Sequence, residues 1–258
     1  MKITKIILLF VLCLLWQSLA FAYEHTYAVV VGVAKYQISS NNLNYAASDA
    51  DKFRVFLMSP AGGNVPAENI CLLKNEKATK SNIQYYAKRL FAKAKANDRV
   101  IFFFSGHGTK NGLYPHDVNF FGENVLLYEE LKELLRATEA HTKLVFVDAC
   151  QAGGIVNSRS GSTSPQKNNS FDGYDIAFMQ SSESYQTSRE SQVLQQGVFT
   201  YFLIKGLTGE ADKNGNSKIT IGELFDYVYK KTKNYSEGTQ TPVMYGNFDV
   251  RLIVGYRR

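Results

Sequence analysis

Apolar residues run without a break through Tyr27-Ala28-Val29-Val30-Val31, Val100-Ile101-Phe102-Phe103-Phe104 and Leu144-Val145-Phe146-Val147. Such runs, four to five residues long and free of alternation, are the mark of strands covered on both faces. They predict strands over 25–33, 99–105 and 143–149. Shorter runs predict strands over 69–74 and 174–180, and one or two closing strands within 241–254. Between them the spacing changes to three and four. Ile83, Ala87, Leu90, Phe91 and Ala94 share one stripe behind Thr79-Lys80-Ser81-Asn82, which opens a helix. Helices are predicted over 49–58 (Phe53, Phe56 and Leu57 inward), 128–138 (Leu127, Leu131, Leu134 and Leu135 inward), 199–207 and 221–232. Strands that alternate with helices and are apolar throughout argue for an α/β fold, a mostly parallel sheet with helices on both faces. One stretch breaks the pattern: residues 157–173 are rich in Ser, Asn and Gly, with no large apolar residue before Phe171. It reads as a flexible loop.

The first 22 residues have a different logic. Lys2 and Lys5 precede an 11-residue apolar run, Ile6 to Trp16, and Ala20-Phe21-Ala22 supplies an Ala-x-Ala site. This is the layout of a cleavable secretory signal over 1–22, with an apolar run too short to serve as a stable membrane anchor. Leu12 before Cys13 argues against lipid attachment. The expected organisation is therefore a leader, 1–22, followed by one secreted domain, 23–258.

Charge adds exclusions. The 258-residue chain carries 29 Lys and Arg against 23 Asp and Glu, a net charge of +6 that falls to +4 without Lys2 and Lys5. No basic stripe interleaved with aromatics is present, so nucleic acid is not an expected partner. Two cysteines remain after the leader. Cys71 lies in the apolar Ile70-Cys71-Leu72-Leu73 and reads as a small buried hydrophobe. Cys150 does not.

In an open parallel sheet, ligands bind beyond the carboxyl ends of the strands. Two of the buried strands run out there into Ser105-Gly106-His107-Gly108 and Asp148-Ala149-Cys150-Gln151-Ala152-Gly153-Gly154. A thiol nucleophile requires a base within reach and backbone N–H groups aimed at the developing oxyanion. His107 supplies the first; the N–H groups of Cys150 and Gly108 are candidates for the second. No further Cys or His stands at ligand spacing from either residue, so a metal site is not expected here.

The same segments resemble the two signature segments of the caspase-like cysteine peptidases and are similar to the prokaryotic metacaspase-like (orthocaspase) branch. Val31-Gly32-Val33, Ala47-Ser48-Asp49-Ala50, Ala78-Thr79-Lys80-Ser81-Asn82-Ile83, Leu113-Tyr114-Pro115-His116-Asp117, Gly197-Val198-Phe199-Thr200 and Gln240-Thr241-Pro242-Val243 follow in the family's order. The departure is Gln151-Ala152-Gly153, where the family has His-Ser-Gly. The resemblance implies a caspase-like three-layer sandwich over 23–258, Cys150 as nucleophile, His107 as general base, a thioester acyl-enzyme and a monomer. A clostripain- or gingipain-like peptidase is the alternative within enzymes. A non-catalytic module that holds basic peptides is the alternative outside them.

Charge indicates which peptide bond is cut. Asp148 lies two residues before Cys150, hence on the same strand face. By resemblance Asp49 is a second acid of the S1 pocket, and two carboxylates there select a P1 Arg or Lys in a protein or peptide substrate. Asp49 has a competing reading as a helix N-cap. Asp117 matches another family acid, with pocket support and loop structure both open. Arg159 and Lys167 place two cleavable residues in the 157–173 loop, which is either self-processed or a surface insertion. Finally, Asp212, Asn214, Asn216 and Glu223 fall at positions 1, 3, 5 and 12 of an EF-hand-like loop, but Ser217 stands where Gly is usual. A tight turn with a Thr220/Glu223 capping box accounts for the same residues, and no cofactor, calcium included, is an expected requirement.

Overall fold

The computed structural model describes residues 24–149, 176–183 and 186–257. In chain order its strands are β1 (Thr26–Gly32), β2 (Ile70–Lys74), β3 (Arg99–Gly106), β4 (Gly108–Thr109), β5 (Gly112–Leu113), β6 (Leu126–Leu127), β7 (Thr142–Ala149), β8 (Ile176–Gln180), β9 (Glu190–Ser191), β10 (Gln196–Gly197), β11 (Lys218–Thr220), β12 (Val243–Tyr245) and β13 (Ile253–Tyr256). The α-helices are α1 (Ala46–Met58), α2 (Lys80–Phe91), α3 (Tyr128–Arg136), α4 (Val198–Lys205) and α5 (Ile221–Tyr235).

The main sheet has the order β12-β8-β7-β3-β1-β2. β2, β1, β3, β7 and β8 are parallel, and β12 closes one edge antiparallel to β8. Because successive side chains leave a strand on opposite faces, each unbroken apolar run feeds two cores. Val29, Val31, Phe102, Phe104, Val145 and Val147 face α2 and α3, meeting Ile83, Leu90, Leu131 and Leu135. Ala28, Val30, Ile101, Phe103, Leu144 and Phe146 face α1, α4 and α5, meeting Phe53, Leu57, Leu203 and Val228. Phe53 stacks on Phe103 with ring centroids 4.3 Å apart, tying α1 to the sheet centre. The fold is an α/β three-layer sandwich.

Two local expectations are corrected. α1 begins at Ala46, so Asp49 sits inside the helix; the N-cap position is Tyr45, and its side chain makes no cap bond. Leu127 precedes α3 and is 42% exposed rather than turned inward, while Leu131 and Leu135 are fully buried. The closing segment holds two strands, as expected: β12 joins the main sheet and β13 pairs with β11. Elsewhere the local chemistry acts as read. Thr79 caps α2 by accepting the Asn82 N–H at 3.2 Å. Cys71 is half-buried against the α2 side of the sheet, and burial pushes its thiol pKa up to about 11. No helix among the described residues is long and apolar enough to cross a membrane.

Candidate active site

β3 and β7 are adjacent, and their register sets Ser105 beside Asp148 and Gly106 beside Ala149. The parity of each strand then decides what its last residues face. Ser105 follows Ile101 and Phe103, and Asp148 follows Leu144 and Phe146, so both turn toward the α1 and α4 side. β7 ends at Ala149. Cys150, Arg159 and Lys167 lie outside the described residues, as do the leader and the 157–173 loop.

His107 follows β3 directly and is held at three points. Its backbone N–H donates to the Tyr36 hydroxyl at 2.7 Å, and the Tyr36 ring lies 5.3 Å from the imidazole, centroid to centroid. Its Nε2 lies 2.9 Å from the Asn41 carbonyl oxygen. A carbonyl can only accept, which assigns the proton to Nε2 and leaves Nδ1 as the basic nitrogen. Burial lowers the His107 pKa, with the Asn41 carbonyl and the Glu190 charge acting in opposition, so the ring is neutral at neutral pH. Gly106 keeps this arrangement open, because a Cβ there would come within 2.8 Å of the Tyr36 hydroxyl. Gly108, the candidate oxyanion donor, starts β4 and pairs with Leu113. Nothing in the sequence marks the Asn41 carbonyl as the group that orients the histidine. It is a backbone atom with no side-chain signature.

Beside His107 lies a cleft lined by Asp49, Ser105, Asp148, Glu190 and Gly197. Asp49 and Asp148 are 0% and 4% exposed. Asp49 accepts from the Ser105 hydroxyl at 3.0 Å and from the Gly197 N–H at 3.1 Å. Asp148 Oδ2 accepts from the Thr200 hydroxyl at 2.7 Å and the Thr200 N–H at 3.1 Å, and its Oδ1 accepts from the Ser188 hydroxyl. Asp49 thus lines the cleft from inside α1, and the N-cap reading does not hold. Burial raises the pKa of both carboxyls; the Asp148 charge lifts Asp49 further, and the hydrogen bonds to each act downward.

Glu190 is a third acid of the cleft that sequence reasoning missed. Its carboxylate accepts the Tyr45 N–H at 2.7 Å and the Asn44 N–H at 2.9 Å, at the entry to α1. It sits in the polar run Ser188-Arg189-Glu190-Ser191-Gln192, where nothing separates it from an ordinary surface acid. Among the described residues none of the three carboxylates forms an ion pair. The cleft gathers three carboxyl groups, none of them ion-paired among the described residues, with Arg189 and the His107 imidazole beside them.

Two further acids fall elsewhere. Asp117 accepts the Lys80 N–H at 2.9 Å and so serves the start of α2. In the EF-hand-like segment, Asp212 accepts the Asn216 and Ser217 N–H groups, both at 3.1 Å. Thr220 and Glu223 form a reciprocal capping box at the start of α5. Ser217 takes φ 64°, the conformation for which glycine is usual. Among the described residues no three His, Cys, Asp or Glu side chains are grouped to hold a metal ion.

Residues 25–252 match the caspase domain family model. A protein named as a probable protease from a Desulfuromonadales bacterium is 28% identical over 148 residues, covering 48% of this chain and 18% of that protein. Metacaspase-3 of Arabidopsis thaliana is 28% identical over 149 residues, covering 50% of this chain and 40% of the plant protein. The chain thus spans well under half the length of either relative. Among solved structures, caspase-1 from Spodoptera frugiperda superposes with a TM-score of 0.62 at 14% identity, covering 92% of this chain and 93% of that one. A Geobacter sulfurreducens protein gives 0.58 at 18% identity, covering 90% and 97%. At these identities the structural matches speak to the fold alone.

Proposed function

Because the chain belongs to the caspase domain family of cysteine peptidases, we propose that it is a secreted, monomeric endopeptidase that cuts after Arg or Lys through a Cys150–His107 dyad. Cys150 Sγ attacks the scissile carbonyl carbon while its proton passes to His107 Nδ1. The oxyanion that forms accepts hydrogen bonds from the Gly108 and Cys150 N–H groups. As the C–N bond breaks, His107 returns the proton to the leaving amine, and a thioester joins the acyl group to Cys150. Water, deprotonated by His107, then attacks the thioester carbon, and the thiol leaves with the proton. The Asn41 carbonyl holds the imidazole in the required tautomer throughout, a task an acidic third residue performs in other triads.

The observation that supports the specificity is the pair of buried carboxyl groups, Asp49 and Asp148, beside His107, neither in an ion pair among the described residues. An arginine guanidinium or lysine ammonium completes that charge arrangement, and an acidic P1 side chain adds to the repulsion. Arg159 and Lys167 are substrates of the same preference within the chain.

Two fluorogenic peptides, one ending in Arg and one in Asp, test this on wild type and Cys150→Ala, each with calcium and with a chelator. The expected result is cleavage of the Arg peptide alone, unaffected by the chelator and abolished in the variant. Cleavage of the Asp peptide overturns the pocket assignment and leaves the dyad intact. No cleavage of either, with a folded protein, favours a binding module.

A further inference from the structure

Among the described residues every phenylalanine but two is buried or partly buried; Phe120 and Phe121 are 84% and 90% exposed. They stand side by side at the corner of a tight turn, where the Gly122 N–H donates to the Asn119 carbonyl at 3.0 Å. The turn is held from within. Asn119 Oδ1 accepts the Phe121 and Glu123 N–H groups, both at 3.0 Å, and the Asn124 side chain donates to the Asp117 carbonyl at 3.1 Å. Its base is set in the core through Val118 and Leu126, 2% and 0% exposed. A Cβ built at Gly122 meets no atom within 4 Å, so the tip projects into open space. Two phenyl groups are thus kept in water by a fixed backbone, which leaves little to be ordered on binding.

Shape, area and charge select what covers them. The tip is convex, so it enters a partner rather than receiving one. A phenylalanine buries about 150–250 Å², so the pair supplies roughly 300–500 Å². That falls short of the about 800 Å² per partner of a stable protein interface, whether with a second copy of this chain or with another protein. The headgroup boundary of a bilayer needs no matching surface, and apolar side chains enter it singly or in pairs. Charge narrows the lipid. Residues 111–131 hold Asp117, Glu123, Glu129 and Glu130 and no Lys or Arg. Asp117 and Glu123, which flank the turn, form no ion pair among the described residues. An anionic surface repels such a segment, and a zwitterionic one does not.

We propose that the Phe120–Phe121 tip is a reversible docking point for a zwitterionic lipid surface. It spans nothing, and its affinity is at or below that of a single acyl chain, on the order of 10⁴ M⁻¹. The tip shares its support with the active site. β5 and β6 flank it, β5 pairs with β4, and the Tyr114 N–H donates to the His107 carbonyl at 3.0 Å. On the proposed function, docking favours substrates held at that surface over soluble ones.

The test uses the full chain and phosphatidylcholine vesicles. Trp16 is the only tryptophan, so wild type supplies the fluorescence background for a Phe121→Trp variant. The emission that the variant adds is expected to shift to the blue with vesicles and to be quenched by brominated acyl chains. Added emission that does neither overturns the proposal. A Phe120→Ser/Phe121→Ser variant with the wild-type circular dichroism spectrum is expected to partition onto the vesicles about tenfold less or weaker still, and equal partitioning overturns the proposal. Phosphatidylserine mixed into the vesicles is expected to weaken wild-type binding, and stronger binding overturns the choice of a zwitterionic surface. Sedimentation velocity without lipid is expected to give the same mass for both proteins. Self-association that the double variant loses assigns the tip to a second copy of the chain and overturns the lipid.

Discussion

An aspartate in water is ionised at neutral pH at little cost, but Asp49 is fully buried and shares its outlook with Asp148. Two nearby carboxylates removed from water resist ionising together. The folded protein consequently keeps a proton on this pair at a pH where the unfolded chain has released it. The folded-state pKa is the higher one, so stability falls as pH rises from the ordinary carboxylate range toward that raised value. Asp49→Asn removes this penalty, since its amide can accept from Gly197 N–H and donate toward Asp148. We expect a higher Tm than wild type at pH 8 and a much smaller difference near pH 5. The scale is roughly 2–4 °C for each kcal/mol regained. The same variant raises KM for an Arg peptide about tenfold, the usual exchange of stability against function. Thermal melts at the two pH values decide it, and a Tm lowered at pH 8 would sink the argument. Wild-type KM is expected to fall over the same pH interval, as the pair gives up its proton to admit the cation.

Among elements, the junction of β9 with α1 does the most to shape the site. A helix start carries partial positive charge and unsatisfied N–H groups. Tyr45 offers no side-chain cap, and Glu190, 146 residues away from Asn44, supplies the carboxylate instead. This contact fixes the entry of the helix that delivers Asp49. Glu190→Ala is expected to cost about 1 kcal/mol, the size of a lost cap. Glu190→Gln, which still accepts through its carbonyl oxygen, should cost less than half as much by chemical denaturation. Equal losses would show that the backbone contacts are not what Glu190 contributes. The element scale also shows where sequence reading succeeds. β1, β3 and β7 were legible because doubly covered strands are apolar at every position, and the chemistry at their tips stood out against that background. The start of α1 was misread because Ser48 and Asp49 are favoured N-cap types and Ala46-Ala47 carries no signal of its own. Glu190 and the Asn41 carbonyl were illegible for a different reason. Their roles exist only in contacts between segments far apart in sequence.

For the whole molecule the three layers followed from periodicity, and the sheet order places the two functional strands at the centre with β1 and β8 on either side. Every contact that shapes the cleft is long-range. Ser105 meets Asp49 across 56 residues, Thr200 meets Asp148 across 52, and Gly197 meets Asp49 across 148. Such contacts form late, since the loops between them must close first. Activity on an Arg peptide and far-UV circular dichroism should therefore fall together in a urea titration. Activity that persists past the spectroscopic midpoint would mean that the pocket survives without the sheet.

The span between Asp49 and Gly197 has one more consequence. A ribosome that has released His107 and Asp148 has not yet released Gly197 and Thr200, whose N–H groups hold the two cleft carboxyls. Until that segment has been made and brought back to α1 and β7, the cleft is not assembled. On the proposed function, chain order thus delays competence until Thr200 has been translated, a form of latency that needs no inhibitor.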